Sequence, residues 1–164
     1  MHMPIARLLF STSNSPFSAL IRAATWSHWS HVAIVDGETV IEATATAGVV
    51  RTPLWRALAR SKHYALVDLP CADPLAAIAA AAGEIGKPYD YSAILGLALR
   101  RDWQEDDAWF CSELVAWAFD VSGQPLIRAE MARRITPHHL WLLPPATPGA
   151  EQSAHVSFSV PLTQ

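Results

Sequence analysis

The stretch Ser30-His31-Val32-Ala33-Ile34-Val35-Asp36-Gly37-Glu38-Thr39-Val40-Ile41-Glu42-Ala43 decides how this chain folds. Two apolar runs rich in β-branched residues flank Asp36-Gly37, and an Asp-Gly pair between such runs is the strongest short-range signal of a β-hairpin. A symmetric turn at Asp36-Gly37 sets Val35 opposite Glu38, and counting outward sets His31 opposite Glu42. Directly opposed residues of an antiparallel pair hold their Cβ atoms about 4.5–5.5 Å apart on one face, so this register lets Glu42 orient the His31 imidazole. A three-residue turn with a bulge would shift the pairing by one and send Glu42 to the other face.

Working outward, Pro4 to Thr12 reads as a strand, and Ser13-Asn14-Ser15-Pro16 supplies cap and first-turn residues for a helix over Pro16 to Thr25. Trp26 to Ser30 is an aromatic and polar loop that feeds the hairpin. Beyond it, Gly48 to Arg51 and His63 to Leu69 read as strands, and Leu54 to Ala59 as a short helix. Asp73-Pro74 is a cap followed by a first-turn proline, opening an alanine-rich helix that runs to about Ile85 and stops at Gly86. Ser92 to Arg101 reads as a buried helix, Asp102 to Asp107 as an acidic loop, and Cys111 to Ser122 as a helix closed by Gly123. Thr136-Pro137 starts a last short helix, and His155 to Leu162 alternates like an edge strand. A length of 164 residues fits a single domain over residues 1–164.

Composition narrows the function classes. Hydrophobic residues make up 51% of the 164 and charged residues 16%, with mean hydropathy +0.17, which supports a buried core rather than disorder. A net charge of -3, with no basic run longer than the Arg100-Arg101 and Arg133-Arg134 pairs, argues against a nucleic-acid partner. No window approaches the roughly 18 apolar residues of a membrane span, so stable membrane insertion is not expected. Arg7 interrupts the apolar start, which does not fit a secretory signal. The expected location is therefore cytoplasmic as encoded, with export by another route as the alternative. Two cysteines, Cys71 and Cys111, are too few for a disulfide framework or a structural zinc site.

Cys111 heads the apolar stripe Leu114, Val115, Ala118 and Phe119, which puts it at a helix N-terminus where the dipole and unpaired N–H groups favour a thiolate. A nucleophile, a base and an orienting acceptor are then present as Cys111, His31 and Glu42. Other readings stand beside this one. Cys111 fits a small core residue, as Cys71 does. His31 fits a hydrogen-bonded strand-end histidine, and Glu42 a solvated strand residue. His28, His31, Glu42 and Cys111 together have the donor types of a zinc site. Trp26, Trp29, Trp103 and Trp109 lie in loops where they could line an apolar cleft, and Tyr89 and Tyr91 suit packing or hydrogen bonding equally. The acidic run Glu105-Asp106-Asp107 would oppose a thiolate if it lay close. Spacing alone does not bring the hairpin and the Cys111 helix together.

Three segments in order carry a family likeness: Ser30-His31-Val32-Ala33-Ile34 with Ile41-Glu42-Ala43, then Gly86-Lys87-Pro88-Tyr89-Asp90-Tyr91, then Phe110-Cys111-Ser112-Glu113-Leu114-Val115. They resemble the circularly permuted branch of the NlpC-type papain-like hydrolases, the YiiX-like proteins, in which the histidine precedes the cysteine. The resemblance implies a papain-like α+β fold, with the cysteine helix packed on a small antiparallel sheet that carries the histidine. It implies Cys111 as nucleophile, His31 as general base and acid, Glu42 as the residue orienting the imidazole, and Tyr89 as a neighbour of the thiol or the oxyanion. No cofactor and no metal are implied. The implied activity is cysteine-dependent amide hydrolysis on bacterial cell-wall peptides or muropeptides. An acyltransferase or thioesterase acting on acyl lipids is the first rival, and a non-catalytic module binding a lipid or peptide in the same cleft is the second.

Overall fold

β-Branched and aromatic runs separated by Gly, Pro and Asp produce five strands, and the computed structural model describes residues 4–92, 107–128 and 135–145. The elements are β1 (Ile5–Thr12), α1 (Pro16–Thr25), β2 (His31–Asp36), β3 (Thr39–Thr44), β4 (Gly48–Pro53), α2 (Leu54–Ala59), β5 (His63–Pro70), α3 (Pro74–Gly83), α4 (Cys111–Val121) and α5 (Pro137–Trp141). The strands form one antiparallel sheet in the order β4-β3-β2-β1-β5. The expected helix over Ser92–Arg101 beyond Ser92 itself, most of the Asp102–Asp107 loop and the edge strand over His155–Leu162 lie outside the described residues.

Local rules account for most element ends. Ser15 Oγ accepts from Ser18 N at 3.0 Å and Pro16 follows it; Asp73 Oδ1 accepts from Ala76 N at 3.0 Å and Pro74 follows it. Both are side-chain N-caps with proline in the first turn. α3 stops at Gly83, short of Ile85, because Glu84 N and Ile85 N bond back to Ala81 and Ala82 in a tightened last turn.

The sheet is covered on both faces. On one side α3 and α4 lie over Leu8, Phe10, Val32, Ile34, Ile41 and Leu69 in the larger core. On the other, α2 lays Ala57, with Leu54 and Leu58, over Leu9, Ala33 and Val40, flanked by Leu66. β2 is the middle strand, and Val32, Ala33 and Ile34 are all buried. A strand packed on both faces reads as a continuous apolar run, which is how this one appears in the sequence.

The hairpin forms, but not in the expected register. Ile34 pairs with Ile41, Val35 with Val40 and Asp36 with Thr39, so the turn residues are Gly37 and Glu38 rather than Asp36 and Gly37. Gly37 has φ +57 and occupies the first central position, where a two-residue hairpin turn favours glycine. Asp36 is held in the ladder by its own neighbours: Thr39 Oγ1 donates to its carbonyl at 2.9 Å, and Arg51 of β4 pairs with its carboxylate. The pairing moves by two residues and not by one. Continued along the strands, it sets Glu42 opposite Ala33, diagonal to His31 and on the same face.

Candidate active site

Cys111 is fixed by its helix. Phe110 is extended, with φ -85 and ψ 150, and α4 begins at the next residue. Glu113 Oε2 reaches back to accept from Phe110 N at 3.3 Å, and Ser112 Oγ donates to Ile135 O at 2.7 Å, tying the start of α4 to the segment before α5. Leu114, Val115, Ala118 and Phe119, the stripe read from the sequence, are fully buried, and α4 packs on β2 and β3. Cys111 itself is 1% exposed. As the first helical residue it has a backbone N–H without an intrahelical acceptor.

His31 opens β2, at the end of the sheet where the two faces meet. Strand alternation places Glu42 with Val40 on the α2 side, and Val32 and Ile34 on the α4 side. The imidazole spans both. Its Nε2 lies 2.7 Å from Glu42 Oε2, and the ring interacts electrostatically with Cys111. Diagonal neighbours on one sheet face are about 7–8 Å apart at the backbone, within reach of long side chains. The two-residue shift in register thus preserves the contact that a one-residue shift would destroy.

The charges at this point are interlocked. Burial alone would lower the His31 pKa, but hydrogen bonds to Cys111 and Glu42, and the charges of both, raise it to about 9. Burial would raise Glu42; the hydrogen bond and charge of His31, then the charge of Arg60 and a weaker contact from Thr52, bring it down to about 2. Arg60, the residue after α2, donates through Nη2 to the same Oε2 that receives His31. Glu42 Oε1 makes no hydrogen bond of ordinary geometry. The Glu42 side chain is wholly buried, whereas that of Arg60 is 44% exposed.

Tyr89 is held from both sides. Val49 N donates to Lys87 O and Gly86 N to Val49 O, each at 2.9 Å, pinning Gly86-Lys87-Pro88 to β4. Gly48 permits that approach: it has φ +69, and a Cβ there would meet Lys87 O at 2.1 Å. On the far side, Asp90 N donates to Trp109 O at 3.1 Å and Trp109 N to Pro88 O at 3.0 Å, which joins the tyrosine to the segment entering Cys111. Burial, then the charges of Cys111, Tyr91, Glu113 and Asp90, push the Tyr89 hydroxyl far above its ordinary value. It stays protonated and can donate. Asp107, the described part of the acidic run, acts on half-exposed Lys87, whose pKa is raised by Glu84 first and then Asp107.

A cleft of about 420 Å³ opens beside these groups, lined by His31, Tyr89 and Arg60 and by a wall of Ser11, Ser13, Asn14, Ser15, Ser18 and Ser30, with Phe17, Ile21 and Ala43 as apolar patches. Cys111 does not line it; its neighbours His31 and Tyr89 do. The expected tryptophan lining is not found among the described residues. Trp29 packs on Phe10 and Trp141, Trp109 packs on Trp117 and donates to Glu84, and Trp26 projects into solvent. Trp103 lies outside the described residues. Cys71 is a core residue, with its sulfur 3.5 Å from Ser122 Oγ. No group of three or more His, Cys, Asp or Glu side chains among the described residues is arranged to hold a metal ion. No described helix is long and apolar enough to cross a membrane.

Sequence reasoning missed Arg60 and Gly48. Arg60 has the local signature of a cation at a helix C-terminus, and its partner lies eighteen residues away on another strand. Gly48 reads only as a strand start.

Comparison with known proteins adds the following. A family model described as the permuted papain-like amidase enzymes YaeF/YiiX, the C92 family, matches residues 5–137. Among solved structures the chain is similar to the metalloprotein yiiX from Escherichia coli O157:H7. The two share 20% identity over 88% of this chain and 95% of that one, with a TM-score of 0.64, a likeness of fold. No curated protein matches the chain.

Proposed function

The chain belongs to the permuted papain-like amidases of the C92 family and is a cysteine hydrolase of papain-like α+β fold; from that premise we propose that Cys111 is its nucleophile, with His31 as general base and acid. Glu42 is the positioning residue that holds the imidazole, and Tyr89 the donor beside the thiol. The observation that carries this assignment is the imidazole of His31 held between Glu42, at 2.7 Å, and Cys111 at a helix start.

The reaction follows from those positions. The Cys111 thiolate attacks an amide carbonyl, forming a C–S bond and an oxyanion, toward which the Cys111 N–H and the Tyr89 hydroxyl can donate. The His31 imidazolium gives its proton to the amide nitrogen, the C–N bond breaks and the amine leaves, with a thioester remaining. Neutral His31 then takes a proton from water, the hydroxide attacks the thioester, and the C–S bond breaks to release a carboxylic acid and restore the thiolate and imidazolium. Glu42, ionised down to about pH 2, stabilises the imidazolium form throughout.

For the substrate we propose an amide bond in small peptides, of which cell-wall peptide fragments are the class to try first. The chargeable lining residues His31 and Arg60 support a polar peptide over a long acyl chain. The apolar Ile94–Leu99 segment on which an acyl-lipid groove would depend lies outside the described residues.

The test needs no substrate at first. Iodoacetamide labelling at pH 7, read by mass spectrometry, is expected to modify Cys111 and spare Cys71, and to slow at least about tenfold in His31→Ala. Incubation with muropeptides should then release amine from the wild type, with turnover at least about a thousandfold lower in Cys111→Ser. Labelling of Cys111 that ignores His31 sinks the assignment. Tight binding of peptide without turnover would leave a binding module in its place.

A further inference from the structure

The cleft shows its ligand a cation and hides the matching anion. Glu42 has no exposed side chain, whereas Arg60, bonded to it, lines the cleft with nearly half of its side chain exposed. Among the described lining residues the chargeable side chains are His31 and Arg60, with no carboxylate among them. Most of the serine hydroxyls around them are already engaged: Ser18 with Ser30 at 2.6 Å, Ser13 with Ser15 at 3.0 Å, and Ser61 with Ala57 O at 2.7 Å. An arginine fork carries five N–H donors in fixed directions. Nη2 is committed to Glu42, and that bond orients the plane of the guanidinium before any ligand arrives. A preorganised planar fork with one edge anchored and the other facing a cleft suits a bidentate carboxylate, which a lysine in the same place could not match.

We propose that Arg60 is a specificity-determining residue that receives a carboxylate of the substrate close to the scissile carbonyl, so that the amides cleaved here bear a free carboxylate near the bond that breaks. This rests on the reading of Cys111 and His31 as the reacting pair. Because Arg60 and His31 meet on one Glu42 oxygen and line one cleft, the bound carboxylate would lie beside the imidazole. Binding at Arg60 would place the carbonyl and leave the chemistry to Cys111 and His31.

Two alkylating labels that differ only in charge separate this from a role confined to holding Glu42. N-iodoacetylglycine carries the carboxylate, and N-iodoacetylglycinamide is its neutral twin. The rate of Cys111 labelling by each is measured in the wild type and in Arg60→Met, Arg60→Lys and Arg60→Gln, and the ratio is read. The wild type is expected to favour the carboxylate label by about tenfold, the increment of one well-placed charge-assisted pair. The ratio should fall to about one in Arg60→Met and Arg60→Gln and lie between in Arg60→Lys, even where loss of support for Glu42 slows both labels together. If Arg60→Met does not fold, the other two variants carry the comparison. A ratio that is the same in wild type and variants overturns the proposal, and Arg60 then serves Glu42 alone. If Cys111 resists both labels in folded wild type, the nucleophile assignment falls, and thermal unfolding with N-acetylglutamate against its diamide decides the subsite. Stabilisation by the acid in wild type but not in Arg60→Gln upholds it, and no stabilisation overturns it.

Discussion

The two faces of the central sheet are packed by different means. Under α3 and α4 lies an apolar core of Leu8, Phe10, Val32, Ile34, Ile41, Leu114 and Phe119. On the α2 face lies a smaller cluster in which Ala57 of α2 meets Leu9, Ala33 and Val40, and that face also buries the charged Glu42 with Arg60 at its margin. The larger face supplies area removed from water and so most of the stability. The smaller face spends its interior on a carboxylate, which is tolerable because two cations meet it. The proposed reacting groups stand where these regions touch: Cys111 comes from the helix on the apolar face, Glu42 from the charged face, and His31 from the strand end between them.

The strongest way to break this contrast is to truncate one core residue on each side. Phe119→Ala on the α4 face should cost about 3–5 kcal/mol, and Val40→Ala on the α2 face about 2 kcal/mol. At roughly 2–4 °C per kcal/mol for a chain of this size, thermal unfolding should separate the two variants clearly. Equal losses would show that stability is shared evenly between the faces.

How far the sequence foretold this arrangement depends on the range of the interaction. Helix starts at Ser15-Pro16, Asp73-Pro74 and Phe110-Cys111, and the buried stripe Leu114 to Phe119, follow from capping and spacing within a few residues, and each was legible. The hairpin was legible as a hairpin, but its register was not. Asp36 and Gly37 allow either of two turns, and the pairing of Asp36 with Arg51 on β4, which accompanies the observed one, is invisible to a local reading. Same-face placement of His31 and Glu42 survived only because the error was an even number of residues. Arg60 could not be assigned a partner at all, since its contact with Glu42 exists only after β3 and α2 have packed. Positions given by local rules were readable; those given by closure of the sheet were not.

A second test acts on the charged face alone. His31 holds its proton up to about pH 9, and in the proposed mechanism the imidazolium donates to the leaving amine, so kcat/KM should fall as pH rises through about 9. Glu42→Gln removes a hydrogen-bonded charge that raises His31, so the alkaline limb should move to lower pH and the rate at pH 7 should drop about 10- to 100-fold. Stability carries the same sign logic. A carboxyl lowered from about 4.5 to about 2 stabilises the fold above the higher value and loses that contribution as pH falls through the lower. The Gln variant should therefore unfold with a weaker acid dependence than the wild type. An unmoved alkaline limb would mean that Glu42 does not govern the imidazole.

The smallest expected effect comes from the turn itself. Gly37 has φ +57, and a Cβ there meets nothing within 4 Å, so Gly37→Ala suffers only the backbone penalty of a left-handed alanine, about 1 kcal/mol. That is a few degrees of unfolding temperature. The variant should nonetheless keep the wild-type alkaline limb, because the register is held independently by Asp36 with Thr39 and Arg51 and by the Ile34 with Ile41 and Val35 with Val40 pairs. A one-residue slip would turn Glu42 away from His31 and carry Val40 off the α2 face, a loss of several kcal/mol that a strain of about 1 kcal/mol cannot drive. Measured together, unfolding temperature and pH profile distinguish the cases: a modest stability loss with an unchanged profile leaves register to the ladder and its ion pair, whereas a displaced profile gives the turn command of the His31–Glu42 contact.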